Sequence, residues 1–255
     1  MSDRVFCETK ILADGEPCFC IQMQAPRANA LEPAFLADLH RAFDTLEQSG
    51  AQRALITGGR NFSTGGDVSR FLDAAMRGEA EAYAERVVPA LQELVIRMLE
   101  MPVVIVSALR GATTGGSAGL LFASDLAVAA PDAFMQPYYG VMGFAPDGGW
   151  SALLPELIGV GPAQSWLMAN HRQGVTELMR LGLVQAVDDT PEVRAMDLLA
   201  AVDTGAALAS KALLWNDARR AAVRAGLSAE TEAFRKLIGR KETLARMQKF
   251  FQPTG

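Results

Sequence analysis

Histidine is the scarcest chemically useful residue in this 255-residue chain, which has only His40 and His171. Two imidazoles exclude a multi-histidine metal centre built from the chain alone, and no metal is expected. Cysteine is nearly as sparse: Cys7, Cys18 and Cys20 all fall in the first twenty residues. An odd number at one end fits neither a disulfide framework nor a four-ligand zinc site, so they read as reduced thiols packed in a strand. A basic surplus is also missing, with 24 Lys and Arg against 29 Asp and Glu and a net charge of −5. Nothing here condenses on a phosphate backbone or anionic lipid, and neither nucleic acid nor a membrane is an expected partner. The longest apolar stretch, around residues 118–130, is interrupted by Ser124 and Asp125. Residues 1–10 carry Asp3, Arg4, Glu8 and Lys10 in place of the apolar segment of a secretion signal. The expectation is a cytoplasmic protein.

What is present suits an ordinary globular core, with 50% apolar and 21% charged residues. Residues 5–23 read as two extended segments around Asp14-Gly-Glu-Pro17, an opening hairpin. Leu31, Phe35, Leu36, Leu39, Phe43 and Leu46 recur at three and four, which predicts a helix over 31–48 with His40 beside its apolar stripe. A buried-type strand at 53–57 runs into a Gly-rich loop, Asn61-Phe-Ser-Thr-Gly-Gly-Asp67. A helix over 79–101 stops at Pro102, the β-branched run 103–106 is a strand, and a second Gly-rich turn at 110–119 leads into a small helix over 118–124 and a strand over 125–129. Strand, Gly-rich turn and helix thus occur twice, which predicts an α/β fold with layered parallel strands. From Gly148 onward helices dominate, at 150–157, 162–170, 174–181, 192–202, 205–225 and 229–251, with one short strand at 184–187. The chain divides into a core, 1–190, and a helical region, 191–255, whose apolar positions have no strand left to cover and point to subunit contacts.

The two Gly-rich turns carry the chemical information. In each, a strand ends, glycines permit unusual backbone angles and a helix begins, so N–H groups face outward with a helix dipole behind them. Two such groups converging on one point bind a developing oxyanion, and losing one donor costs on the order of 10²–10³ in rate.

Pro26-Arg-Ala-Asn-Ala-Leu31, Leu55-Ile-Thr-Gly-Gly59, Phe62-Ser-Thr-Gly-Gly-Asp-Val68, Gly111-Ala-Thr-Thr-Gly-Gly-Ser-Ala-Gly119, Ser124-Asp-Leu-Ala127, Pro146-Asp-Gly-Gly-Trp150, Leu154-Pro-Glu-Leu-Ile-Gly159 and Gly182-Leu-Val-Gln-Ala-Val187 follow one another as in the enoyl-CoA hydratase/isomerase (crotonase) family, which the chain resembles from about Val5 to Val187. The resemblance implies a crotonase-type spiral of ββα units with a C-terminal helical trimerisation region. It implies an acyl-CoA substrate, with coenzyme A arriving as part of that substrate and no separate cofactor, and a homotrimer or dimer of trimers. The oxyanion hole maps to the N–H groups of Gly66 and Gly116. Arg27 stands where a basic residue meets the CoA phosphates, or is a solvated arginine. Ala28, Ser63, Gly65, Asp67, Phe71, Gly115 and Trp150 complete the implied substrate-binding set. Asp67 also reads as a loop-ordering carboxylate, and Phe71, Met135, Phe144 and Trp150 as pocket lining.

Departures from the family pattern narrow the chemistry. Hydratases of the family carry two glutamates, at the positions that are Gly119 and Tyr138 here. Asp147 remains, at a place where family isomerases and a hydrolytic dehalogenase use an aspartate, and one carboxylate can run a 1,3-proton shift. It also suits a helix N-cap. Tyr138 and Tyr139 can donate into the pocket. The expected function is therefore an enoyl-CoA double-bond isomerase with Asp147 as acid/base. A hydratase-like lyase, a decarboxylase, an acyl-CoA hydrolase and a non-catalytic acyl-CoA binder stay open. Gly115-Gly-Ser-Ala-Gly119 also matches a nucleophile elbow, with Asp147 and His171 following Ser117 in hydrolase order, although the Ser-to-Asp spacing is too short for the usual intervening βα units.

Overall fold

In the computed structural model, which describes residues 4–252, the Asp14-Gly15 turn folds β1 (Val5–Ile11) antiparallel onto β2 (Pro17–Met23), pairing Val5 with Met23. Asp3 of the charged opening segment lies outside the described residues. Next comes α1 (Pro26–Asn29), a single turn in which Arg27, Ala28 and Asn29 are all left-handed, with φ of 54, 56 and 58°. Asn29 holds it: its Oδ1 accepts from the Ala25 N–H at 2.7 Å and its Nδ2 donates to the Phe62 carbonyl at 2.9 Å. α2 (Pro33–Ser49) buries the anticipated stripe of Phe35, Leu36, Leu39, Phe43 and Leu46.

β3 (Arg53–Thr57), buried throughout, lies parallel to β2. After it come α3 (Val68–Met76), α4 (Ala80–Glu100) and β4 (Val104–Leu109), the last parallel to β3. A short strand β5 (Ala112–Thr114), a 3₁₀ turn (Gly115–Ser117) and α5 (Ala118–Phe122) lead to β6 (Leu126–Ala129). β7 (Phe134–Gln136), α6 (Tyr139–Met142), α7 (Leu154–Ile158), α8 (Val160–Ala169), β8 (Gln173–Gly174), α9 (Val175–Arg180) and β9 (Ala186–Val187) complete the core. The main sheet runs β1-β2-β3-β4-β6-β9, and a second sheet runs β5-β7-β8. Every main-sheet pairing from β2 onward is parallel, the layered arrangement expected of strands joined by helical crossovers. The thiols of Cys18 and Cys20 are free and buried in β2, and Cys7 is free and half-buried in β1.

The C-terminal helices correct two expectations. Residues 205–225 and 229–251 are not two helices but three: α11 (Thr204–Leu214), α12 (Asp217–Ile238) and α13 (Lys241–Phe250), after α10 (Pro191–Ala201). Asn216 makes the first break, its side chain accepting from the Arg219 N–H at 3.1 Å as an N-cap. Nor is the tail without a strand to cover. Ala195 and Leu199 of α10 pack on the outer face of the main sheet, against Leu55, Val104, Val106 and Val128, while α12 lies along α4. Two buried cations pin it: Arg53 reaches Asp14, Thr204 and the Val202 carbonyl, and Lys211 reaches the Val103 carbonyl at 2.8 Å and Asp125 at 2.9 Å.

Candidate active site

The two Gly-rich turns meet back to back. Gly65 and Gly115 are left-handed, with φ of 77 and 53°, and a Cβ on Gly65 would lie 2.4 Å from the Thr114 carbonyl oxygen. Parallel bridges join Ser63 to Thr113 and Leu31 to Gly66. The next residue of each turn, Gly66 and Gly116, therefore reaches the wall of one cavity of about 260 Å³. Leu31 donates to the Gly65 carbonyl and accepts from the Asp67 N–H, so the bridge uses Gly66's neighbours and leaves its own N–H facing the other way. Gly116 is the second residue of a 3₁₀ turn, where an N–H has no partner within the turn.

Asp147 closes the site through glycine-on-glycine packing. A Cβ on Gly148 would lie 2.2 Å from the Gly116 carbonyl, and one on Gly119 would lie 2.3 Å from the Gly148 carbonyl. That contact sets the Asp147 carboxylate over Gly116, where an added Cβ would meet its oxygens at 2.7 and 2.9 Å. Tyr139 donates its phenol to Asp147 Oδ1 at 2.6 Å and to the Asp147 carbonyl at 3.0 Å. Burial pushes the Asp147 carboxyl up to about 7; the Tyr139 hydrogen bond opposes this and the charge of Glu230 adds to it. Burial and the adjacent Asp147 hold the Tyr139 phenol protonated. Asp147 does not cap a helix: residues 150–153 form irregular turns and α7 starts only at Leu154. Glu230 of α12 holds this turn, accepting from the N–H groups of Gly149, Ser151 and Ala152 and from the Ser151 hydroxyl at 2.7–3.1 Å.

Of the anticipated set, Gly66, Gly115, Gly116, Phe71, Tyr138 and Asp147 line the cavity. The others are seen in contacts within the fold. Ser63 is fully buried, donates to the Asn29 carbonyl at 2.7 Å and accepts from the Gly65 N–H. Gly65 and Ala28 shape the loop behind the wall, the Ala28 carbonyl accepting from the Thr64 N–H. Asp67 is the N-cap of α3, taking the Ser69 hydroxyl and the Arg70 N–H while pairing with Arg27. Arg27 is thus half-exposed and paired with Asp67 inside the chain. Trp150 sits behind the site and donates to the Gly115 carbonyl at 2.7 Å. Tyr138 is on the wall, but the phenol on Asp147 belongs to Tyr139. The nucleophile-elbow reading also fails. The buried Ser117 hydroxyl donates to the Thr114 and Ser63 carbonyls, and His171 lines a separate cleft beside Trp166.

Sequence reasoning missed Glu230, Phe234 and Phe250, the last two being aromatic wall residues from α12 and α13. Glu230 and Phe234 are four residues apart, a helical spacing, but nothing local ties them to a turn some eighty residues earlier.

The sequence profile of the enoyl-CoA hydratase/isomerase family matches residues 15–251, and the chain belongs to that family. It is 31% identical over 179 residues to cyclohexa-1,5-dienecarbonyl-CoA hydratase from Thauera aromatica, covering 69% of this chain and 66% of that protein. It is 30% identical over 192 residues to crotonyl-CoA hydratase from Syntrophomonas wolfei, covering 73% and 71%. The crystal structure of enoyl-CoA hydratase from Bacillus halodurans superposes with a TM-score of 0.83 at 22% identity, covering 96% and 99% of the two chains. That of an enoyl-CoA hydratase/isomerase from Mycobacterium paratuberculosis gives 0.84 at 22% identity, covering 98% and 99%. The fold is the crotonase fold. Among the described residues no helix is long and apolar enough to cross a membrane.

Proposed function

We propose that this protein acts on an acyl-CoA thioester and moves a double bond of an enoyl-CoA by a 1,3-proton shift. The observation that carries the reading is one buried carboxylate, its pKa raised to about 7, set over Gly116 in a largely aromatic and apolar cavity whose wall Gly66 shares. The Gly66 and Gly116 N–H groups hold the thioester oxygen. Asp147 takes the C2 proton of a 3-enoyl group, the C2–H electron pair moves toward that oxygen, and the enolate collapses as the same carboxyl delivers a proton to C4. Tyr139 occupies Oδ1, leaving Oδ2 as the oxygen that exchanges the proton.

The shift is redox-neutral and draws on no cofactor beyond the coenzyme A carried by the substrate. Hydration needs a second group to activate water, and the Gly119 position has no room for a side chain. Among the described lining residues there is no Lys, Arg or His to hold the second carboxylate of a malonyl-type substrate. The hydratase names of the relatives make hydration the second reading, with Tyr138 as one further polar group on the wall. The proposal extends to a homotrimer or dimer of trimers in the cytoplasm.

The test incubates 2-enoyl- and 3-enoyl-CoA thioesters in D₂O with mass-spectrometric readout. Isomerisation exchanges α or γ hydrogens without adding water, whereas hydration adds the mass of water. Asp147→Asn is expected to abolish exchange while acyl-CoA affinity stays within about twofold, because the amide keeps shape and loses the base. An Asp147→Asn protein that still exchanges deuterium overturns the assignment.

A further inference from the structure

We propose that Glu230 is a positioning residue for Asp147: carried in on α12, it clamps the 149–152 turn and so fixes the reacting carboxylate over Gly116. This rests on the reading of Asp147 as the acid/base. Glu230 is 3% exposed, and its carboxylate gathers four donors from the segment that begins two residues after Asp147. One face of α12 is shaped for this contact. Gly226, a turn earlier, lets the helix approach until an added Cβ would lie 2.7 Å from that of Ala152. Phe234, a turn later, reaches the cavity wall. The same face thus touches the turn, holds it and lines the pocket.

Burial pushes the Glu230 carboxyl up, and its donors oppose this in favour of the charged form. Three of its four partners are backbone N–H groups, which cannot accept a hydrogen bond, so a protonated Glu230 would face donors with its own O–H. An ionised Glu230 disfavours a second negative charge on Asp147 and helps keep the Asp147 proton in place until near neutral pH. The titratable groups acting on Asp147 are Tyr139 from α6 and Glu230 from α12; the 115–117 turn and Leu91 of α4, packed beside it, bring none.

The experiment follows the Asp147 carboxyl by ¹³C NMR in protein labelled at aspartate and glutamate carboxyls, with Asp147→Asn assigning the signal. Glu230→Gln keeps the size, removes the charge and turns one acceptor into a donor. The Asp147 midpoint is expected to fall by about one pH unit, carrying the acid limb of kcat with it. On the alkaline plateau kcat is expected to drop roughly tenfold with KM within about twofold, since misplacement affects the chemical step more than binding. A merely structural Glu230 would lower stability and leave the Asp147 midpoint unmoved, which overturns the proposal. The native protein gives a second measurement that does not depend on the variant folding: the Glu230 carbon should stay at its ionised shift while Asp147 titrates, and a Glu230 protonated through that range overturns the proposal. If the native enzyme exchanges no α or γ deuterium, the proton shift fails, while the two titrations still decide the role of Glu230.

Discussion

Asp147 is used at a cost to the fold. Its folded carboxyl holds its proton to about pH 7 against an ordinary value of 3.8, so stability from this group is full below the ordinary value and is lost as pH rises through the folded one. The difference corresponds to roughly 4 kcal/mol at pH 8, an upper figure because local relaxation lessens it. Asp147→Asn should therefore melt higher than the native protein at pH 8, with the gap closing toward pH 4; calorimetry across that range checks it, and a gap independent of pH counts against a raised carboxyl. Tyr139→Phe tests the opposite sign. Removing the donor that stabilises the anion should raise the Asp147 midpoint and move the acid limb of activity to higher pH. That Asp147 matters was legible from Pro146-Asp-Gly-Gly-Trp150. Which tyrosine serves it was not, because Tyr138 sits at a left-handed φ of 64°, a turn geometry that brings its neighbour to the carboxylate and that a Tyr-Tyr pair does not announce.

At the scale of elements, three glycines do the placing. Gly148 is left-handed at φ 63° and packed on Gly116, so Gly148→Ala combines backbone strain with a Cβ only 2.2 Å from the Gly116 carbonyl oxygen. The expected cost is about 3 kcal/mol or more, read as a lower denaturation midpoint, with activity lost as Asp147 shifts. Gly119→Glu would put a Cβ 2.3 Å from the Gly148 carbonyl oxygen, and it is expected to yield misfolded protein instead of a restored hydratase. The long helices were readable from their periodicity and the central strands from continuous apolar, β-branched runs. β5 and β7 were not, since three residues carry no period, and the left-handed turn at Arg27-Ala28-Asn29 depends on Asn29 bonding a loop thirty residues away. The break between α11 and α12 was hidden by continuous helix-forming sequence around its Asn216 cap.

Over the whole molecule, the tail does more for its own subunit than its composition suggested. α10 closes the outer face of the sheet, and α12 and α13 complete the cavity wall, so the chemistry assigned to the first 190 residues depends on the last sixty. Apolar side chains stay uncovered both in the tail and on α8. Leu213 of α11 is 77% exposed, while on α8 Val160 is 69% and Met168 80% exposed. Large side chains left this open lose stabilisation of roughly 1.5–3 kcal/mol each relative to burial, which a second subunit can recover. The α8 surface is therefore expected to enter a subunit contact, and light scattering at micromolar concentration should give three or six times the 27.3 kDa chain mass. Met168→Glu should lower that mass toward a single chain by placing a charge on the buried side of the contact, while the Asp147 site, built within one chain, keeps its native titration. A native protein that scatters as a monomer, or a Met168→Glu protein that assembles unchanged, rejects this face as the interface.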